Sequence, residues 1–98
     1  MIKVNHVFEW DENKNRINKK RHGVSFDAAK LVFFDPCSLT TFDRVENGED
    51  RWHTIGRING VLLLLVVHTI QDEDYNEIIR IISARRPTSR ERKCYENG

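Results

Sequence analysis

Asn59-Gly60 stands between two runs rich in β-forming residues, Arg51 to Ile58 and Val61 to Ile70, and no other feature restricts the fold of this 98-residue chain as much. Asn-Gly supplies the positive-φ positions of the tight turns whose twist suits antiparallel strands, so the two runs are predicted to form a hairpin. A two-residue turn sets Ile58 opposite Val61, His53 opposite Val66 and Arg51 opposite His68. On that register Arg51, His53, Ile55, Arg57, Leu62, Leu64, Val66 and His68 share one face; Trp52, Thr54, Gly56, Leu63, Leu65 and Val67 share the other. Val61 to Val67 is apolar on both faces, which marks a central strand.

A third run, Glu77 to Arg86 (EIIRIISARR), follows the polar loop Gln71 to Asn76. Its aliphatic residues read as a strand interrupted by Arg80 and closed by Arg85 and Arg86. A lone buried guanidinium is costly to desolvate. Arg80 therefore either pairs with a carboxylate, Asp43 or Glu91, or stands on an open face before an anion. So long a loop does not set the register, and whether Arg80 or Arg85 shares the face of His68 stays open. Antiparallel pairing does set polarity: the acidic loops gather at one end of the sheet and Arg57, Arg85 and Arg86 at the other.

The flanking segments are helical. Ile2 to Trp10 alternates as a strand. Asp11 then caps a helix whose last turn holds Lys19, Lys20, Arg21 and His22, with Gly23 as its stop. Ile17 is nearly its only apolar residue, so Trp10 and Val24 are expected to hold it in place. Ser25 caps a second helix that reaches Asp35-Pro36. Ser38 to Phe42 reads as a short strand, and Asp43 to Asp50 as an unpacked, turn-like acidic loop. After Pro87, Thr88 and Glu91 spell a capping box for a helix through about Glu96, anchored by Tyr95. The expectation is an α+β fold: a small antiparallel sheet, a meander of three to four strands plus the N-terminal strand, with two helices after that strand and one at the C-terminus.

With 39% apolar and 32% charged residues, the chain is expected to build one core and one domain over residues 1–98. Its longest apolar run is too short to cross a membrane and its start does not look like a signal peptide. Cys37 and Cys94 announce neither a disulfide framework nor a zinc site, which fits a reducing cytoplasm. Residues 1–42 carry seven Lys/Arg against five Asp/Glu, residues 43–77 three against eight, and residues 78–98 six against two. An acidic middle between basic ends orients an anionic partner toward one side.

No nucleophile motif, phosphate-binding loop, dinucleotide fingerprint or metal-ligand spacing is present. RNA cleavage by the substrate's own 2′-hydroxyl asks little of a protein: a base, an acid and cations on the phosphorane, with no cofactor and no metal. Acid or base help is worth about 10²–10⁴ in rate and a placed donor about 10²–10³. Histidines and arginines on one sheet face would supply both. Each has a plainer role beside it: His68 as a satisfied core residue, His22 as a helix C-terminal cation, Trp10 and Trp52 as packing aromatics. His53 and His68 as a metal pair lack a third ligand. A non-catalytic module that binds nucleic acid or a partner is the alternative.

FEWDENKNRINKKRHGVSFDAA, VFFDP, RWHTIGR, VVHT, RIISARR and the closing T-x-x-E with Tyr95 follow one another in an order that resembles the BrnT family of type II toxins, ribonucleases of RelE-like fold. The resemblance covers nearly the whole chain. It implies growth inhibition by RNA cleavage and a sheet with helices on one side. It also implies a BrnA-type antitoxin whose DNA-binding region serves autoregulation, so that operator DNA is met through the antitoxin and the pair acts as a co-repressor. Among the matched positions, His68 is assigned proton transfer, Arg80 and Arg85 the scissile phosphate, and Arg51 a place beside them. Lys19, Lys20, Arg21 and His22 are assigned the flanking RNA backbone, with Arg57, Arg86 and Arg90 extending the basic region. His53 departs from the family pattern and receives no family role.

Overall fold

In the computed structural model, which describes residues 5–98, the chain runs β1 (Asn5–Glu9), α1 (Glu12–His22), α2 (Phe26–Ala29), a 3₁₀ turn (Lys30–Phe34), β2 (Leu39–Glu46), β3 (Glu49–Ile58), β4 (Leu62–Glu73), β5 (Asn76–Arg85) and α3 (Ser89–Asn97). The strands lie in the order β1-β5-β4-β3-β2, antiparallel except for β1, which runs parallel to β5. This is the expected α+β architecture with β4 at its centre. Ile2 to Val4, expected as the start of the first strand, lie outside the described residues. The caps of the long helices are as expected: the Asp11 carboxylate accepts from two backbone N–H groups, Gly23 is left-handed, and Thr88 and Glu91 close a capping box.

Two segments expected as loops are strand instead. Asp43 to Asp50 turns only at Asn47-Gly48, and Gln71 to Asn76 only at Asp74-Tyr75; all four residues hold positive φ. Like charges stand directly opposite here, Arg44 on Arg51 and Glu46 on Glu49, and the diagonal Arg51–Glu46 ion pair at 2.6 Å offsets them, so the acidic stretch continues as a ladder.

The Asn59-Gly60 hairpin forms, one residue away from its expected register. Val61 joins the turn, its N–H bonded to the Ile58 carbonyl at 3.0 Å, so Ile58 pairs with Leu62, His53 with Val67 and Trp52 with His68. Because side chains alternate along a strand, that single step exchanges the partners of every β4 residue. Trp52, Thr54, Gly56 and Ile58 share a face with Leu62, Leu64, Val66 and His68. Arg51, His53, Ile55 and Arg57 share the opposite one with Leu63, Leu65 and Val67.

The first of these faces packs under α2 and the 3₁₀ turn, where Phe26, Ala29 and Val32 meet Leu64, Val66, Ile79, Ile81 and Ala84. Gly56 belongs to this contact, since a Cβ there would lie 2.6 Å from the Val32 carbonyl oxygen. The opposite face is covered at one end by α3, whose Tyr95 packs on Ile55, Leu63 and Leu65. The helices are therefore not confined to one side, because the capping turn after Pro87 carries α3 across the sheet.

Helix α1 is held as expected by Trp10 and Val24, which belong to the core cluster, and also by two buried asparagines. Strand β1 stops at the Glu9–Arg80 pair and leaves the edge of β5 uncovered beyond it. The Asn18 carboxamide takes the place of the missing strand: it donates to the carbonyls of Ala84 and Val24, both at 2.9 Å, and accepts from the Ala84 N–H at 3.1 Å. Asn15 accepts from the Phe26 N–H at 2.8 Å.

Candidate functional site

Arg80 and Arg85 are five residues apart, an odd spacing that a regular strand would send to opposite faces. Strand β5 is not regular. Val67 pairs with Ser83 and His68 with Ile81, which leaves Ile82 as an extra residue in a β-bulge. The bulge resets the alternation, so Arg80, Ser83 and Arg85 all project onto the face away from α2, while Ile79, Ile81 and Ala84 stay in the core.

The ladder registers place other groups around them. One row crosses the sheet as Thr41, His53, Val67 and Ser83; the neighbouring row is Leu39, Ile55, Leu65 and Arg85. Toward the acidic end, Thr69 pairs with Arg80 and Arg44 with Arg51. Arg51, Arg80 and Arg85 thus surround His53 and Ser83 on one face.

Each of the three arginines holds a carboxylate. Arg80 meets Glu49 at 2.6 Å, Arg51 meets Glu46 at 2.6 Å, and Arg85 forms a bidentate pair with Glu91 at 2.8 and 3.0 Å. Arg80 had two alternative settings, a carboxylate or an open face, and has both: its partner is Glu49 rather than Asp43 or Glu91, and the two side chains are 40% and 42% exposed. Arg51 is more enclosed, at 13%, and its buried Nε has no hydrogen-bond partner among the described residues. The Arg85 guanidinium, followed by the Thr88 N–H, pulls the Glu91 carboxyl down to about 2. The Arg80 hydrogen bond likewise lowers Glu49.

His68 is not on this face. Its accessible surface is 0%, its Nε2 lies 2.7 Å from the Thr54 hydroxyl, its Nδ1 lies 3.3 Å from the Thr69 carbonyl, and the Phe33 ring meets it edge-on at 4.9 Å. Burial pushes its pKa down to about 4, so the ring is neutral at pH 7. A sealed imidazole does not exchange protons with an RNA on the surface, and the expected proton-transfer role for His68 is corrected on that ground. The one-residue register step is what moved it. The same step separates His53 from His68 across the sheet and removes the two-histidine metal pair. Among the described residues no three His, Cys, Asp or Glu side chains converge.

The C-terminal end of α1 borders the arginine face. Arg21 and His22, with Lys14, Ile17, Asn18, Ile82 and Ser83, line a shallow hollow of about 140 Å³. Lys19 and Lys20 are exposed on the same helix end; Arg86 and Arg90 are exposed beside Arg85. Arg57 is set apart from this group. Its guanidinium lies over the Tyr95 ring at 5.5 Å, and its N–H donates to Asp35 at 2.7 Å. Two larger hollows, about 440 and 620 Å³, flank Arg57 and Tyr95, and a third of about 320 Å³ lies beside Glu49 and Thr69 at the acidic end of the arginine face. Ser83, His53, Lys14 and Glu49 were not among the expected site residues. Nothing in the local sequence signals Ser83, because its facing depends on a bulge that only the pairing of β5 with β4 defines.

Among curated proteins nothing matches the chain. The crystal structure of the Brucella abortus ribonuclease toxin BrnT is similar in fold, with a TM-score of 0.59 and 22% identity over 88% of this chain and 100% of that one. The family model described as "Ribonuclease toxin, BrnT, of type II toxin-antitoxin system" matches residues 10–91. With that match over most of its length, the chain belongs to the BrnT family of ribonuclease toxins of type II toxin-antitoxin systems.

Proposed function

We propose that this chain is a metal-independent endoribonuclease that stops growth by cleaving RNA through attack of the substrate's own 2′-hydroxyl, on the face bearing Arg51, Arg80 and Arg85. The observation that carries the reading is the Ile82 bulge, which turns Arg80 and Arg85 to the same side of the sheet. Such a bulge interrupts a ladder and is favoured where a strand must re-aim a functional side chain.

In this reading the scissile phosphate lies above Val67 and Ser83, between Arg80 and Arg85, and its oxygens compete with Glu49 and Glu91 for the guanidinium donors. A base removes the 2′-hydroxyl proton, O2′ bonds to phosphorus, the bond from phosphorus to O5′ breaks, and an acid protonates the leaving O5′. The products are a 2′,3′-cyclic phosphate and a 5′-hydroxyl. His53 and His22 are the imidazoles that border this face, and proton transfer falls to them in place of His68. Lys19, Lys20, Arg21, Arg86 and Arg90 hold the flanking backbone, and Arg57 guards the far end.

The resident partner is the cognate antitoxin, of BrnA type, through which operator DNA is reached. The cytoplasm, where RNA and antitoxin meet, is the place of action. The test is incubation of the purified protein with RNA in excess EDTA, with mass analysis of the new ends. Cyclic phosphate ends that vanish with Arg80→Ala support the reading. RNA that is bound but never cut would leave a non-catalytic binding module, and cleavage that stops in EDTA would overturn metal independence.

A further inference from the structure

The sheet ends at β2, whose outer backbone groups have no neighbouring strand among the described residues. Unpaired strand edges are templates for another chain, and proteins guard them with charges and bulges. Both guards are present. The register of β2 shifts between Phe42 and Arg44, and Asp43, Arg44 and Glu46 stand along the edge.

Two features show that this edge is more than guarded. Phe42 is 50% and Val45 61% exposed on the face that α2 covers elsewhere, and Phe42 rests on the Trp52 ring at 5.4 Å. Large apolar side chains standing together at a sheet edge are costly to leave wet. Around them the charge is one-sided. Asp43, Glu46 and Glu49 of the β2–β3 hairpin are taken up by Arg44, Arg51 and Arg80, and the acidic rim that remains is Asp50 with Asp72, Glu73 and Asp74 of the adjoining turn.

We infer that the β2 edge, with Phe42 and Val45, is the docking surface for an extended, basic segment of the cognate antitoxin. The occupant follows from the chemistry: main-chain bonds to the edge, apolar residues over Phe42 and Val45, and Lys or Arg against the acidic rim. The bulge and the edge charges exclude chains that lack that pattern. A strand added here lies beside the Glu46–Arg51 pair, so it reaches the arginine face from its acidic side. The inference rests on the toxin-antitoxin reading of the family.

The test uses the full chain and the purified antitoxin encoded beside it. Hydrogen exchange of the complex should show new protection of the amides of residues 39–46. The double variant Phe42→Lys, Val45→Lys should weaken antitoxin binding about 10²-fold or more, with RNA cleavage retained, since neither residue lies on the arginine face. Asp50→Lys should weaken it several-fold and flatten its salt dependence. Affinity unchanged in the double variant, with no protection of residues 39–46, overturns the inference. So does a dimer of the free chain that Val45→Lys disperses, or protection of the same amides by RNA alone. If the protein cuts no RNA yet binds antitoxin at β2, the docking inference stands and the ribonuclease reading falls.

Discussion

The β3–β4 pair carries one histidine on each face, a single register step apart, and the two have opposite surroundings. His68 sits under Phe33, bonded to Thr54, and burial holds it neutral. His53 lies in the row of Val67 and Ser83, among Arg51, Arg80 and Arg85, part-exposed on the open side. Residue type does not distinguish them. Register and covering layer do: the helix-side face is a dry core that tolerates His68 because each ring nitrogen has a partner, whereas the other face holds its three arginines in ion pairs.

The sharpest way to break that contrast is to remove a charge from the open face. Arg80→Ala is expected to lower the cleavage rate by about 10²–10³-fold, the loss typical of a donor placed on developing charge. Its stability effect should stay under about 1 kcal/mol, because the Glu49 pair is half exposed and screened by solvent. Single-turnover cleavage alongside urea denaturation separates the two numbers. A large loss of stability with normal cleavage would make Arg80 a structural residue.

The two histidines should exchange these signatures. His68→Ala opens a cavity beneath Phe33 and costs about 3 kcal/mol, with cleavage per folded molecule unchanged within about threefold. His53→Gln should leave stability within about 0.5 kcal/mol and lower cleavage at least tenfold. If His68→Ala stops cleavage in protein that is still folded, the sealed face reaches the chemistry in some way that its 0% exposure hides.

Much of the contrast was readable from residues alone, and the part that was not has a definite cause. Helix ends were legible because caps are local: Asp11, Gly23, Ser25 and Thr88 act within four residues of themselves. The polarity of the meander was legible from Asn59-Gly60 for the same reason. The face of each β4 side chain was not, because it hinges on whether Val61 is the first strand residue or the last turn residue, a choice that the packing of Leu64 and Val66 against Val32 makes at long range. The bulge at Ile82 is defined by the pairing of β5 with the neighbouring strand, so no periodicity within EIIRIISARR contains it. Asn15 and Asn18 looked like ordinary polar positions on a weakly amphipathic helix, since only the tertiary fold supplies their backbone partners.

Acid should act on the buried histidine as well. His68 has a folded pKa of about 4 against an ordinary 6.5, so the unfolded chain takes up the proton first as pH falls. Its contribution is complete above about pH 6.5 and is lost as pH drops toward 4, amounting to about 3 kcal/mol across that window. Denaturation midpoints measured between pH 7 and 4 should fall accordingly, and His68→Leu should flatten the curve. A wild-type curve that is already flat would mean that the ring finds a counter-ion or water in its folded setting.

The smallest expected effect lies where the two faces are joined. Thr88 caps α3 by accepting from the Glu91 N–H at 3.2 Å, and Glu91 both receives the Thr88 N–H at 2.8 Å and grips Arg85. One side chain therefore fastens the helix that shields Leu63 and Leu65 and orients an arginine of the open face. Thr88→Ala removes the hydroxyl half of the capping box and should cost about 1 kcal/mol. It leaves both Arg85–Glu91 bonds available, so cleavage should fall less than threefold. The low pKa of Glu91 should rise slightly, and the stability it supplies above pH 4.5 should be lost at a somewhat higher pH than the wild-type value of about 2. A tenfold loss of cleavage in Thr88→Ala would show that α3 positions Arg85 for the reaction rather than merely covering the sheet beside it.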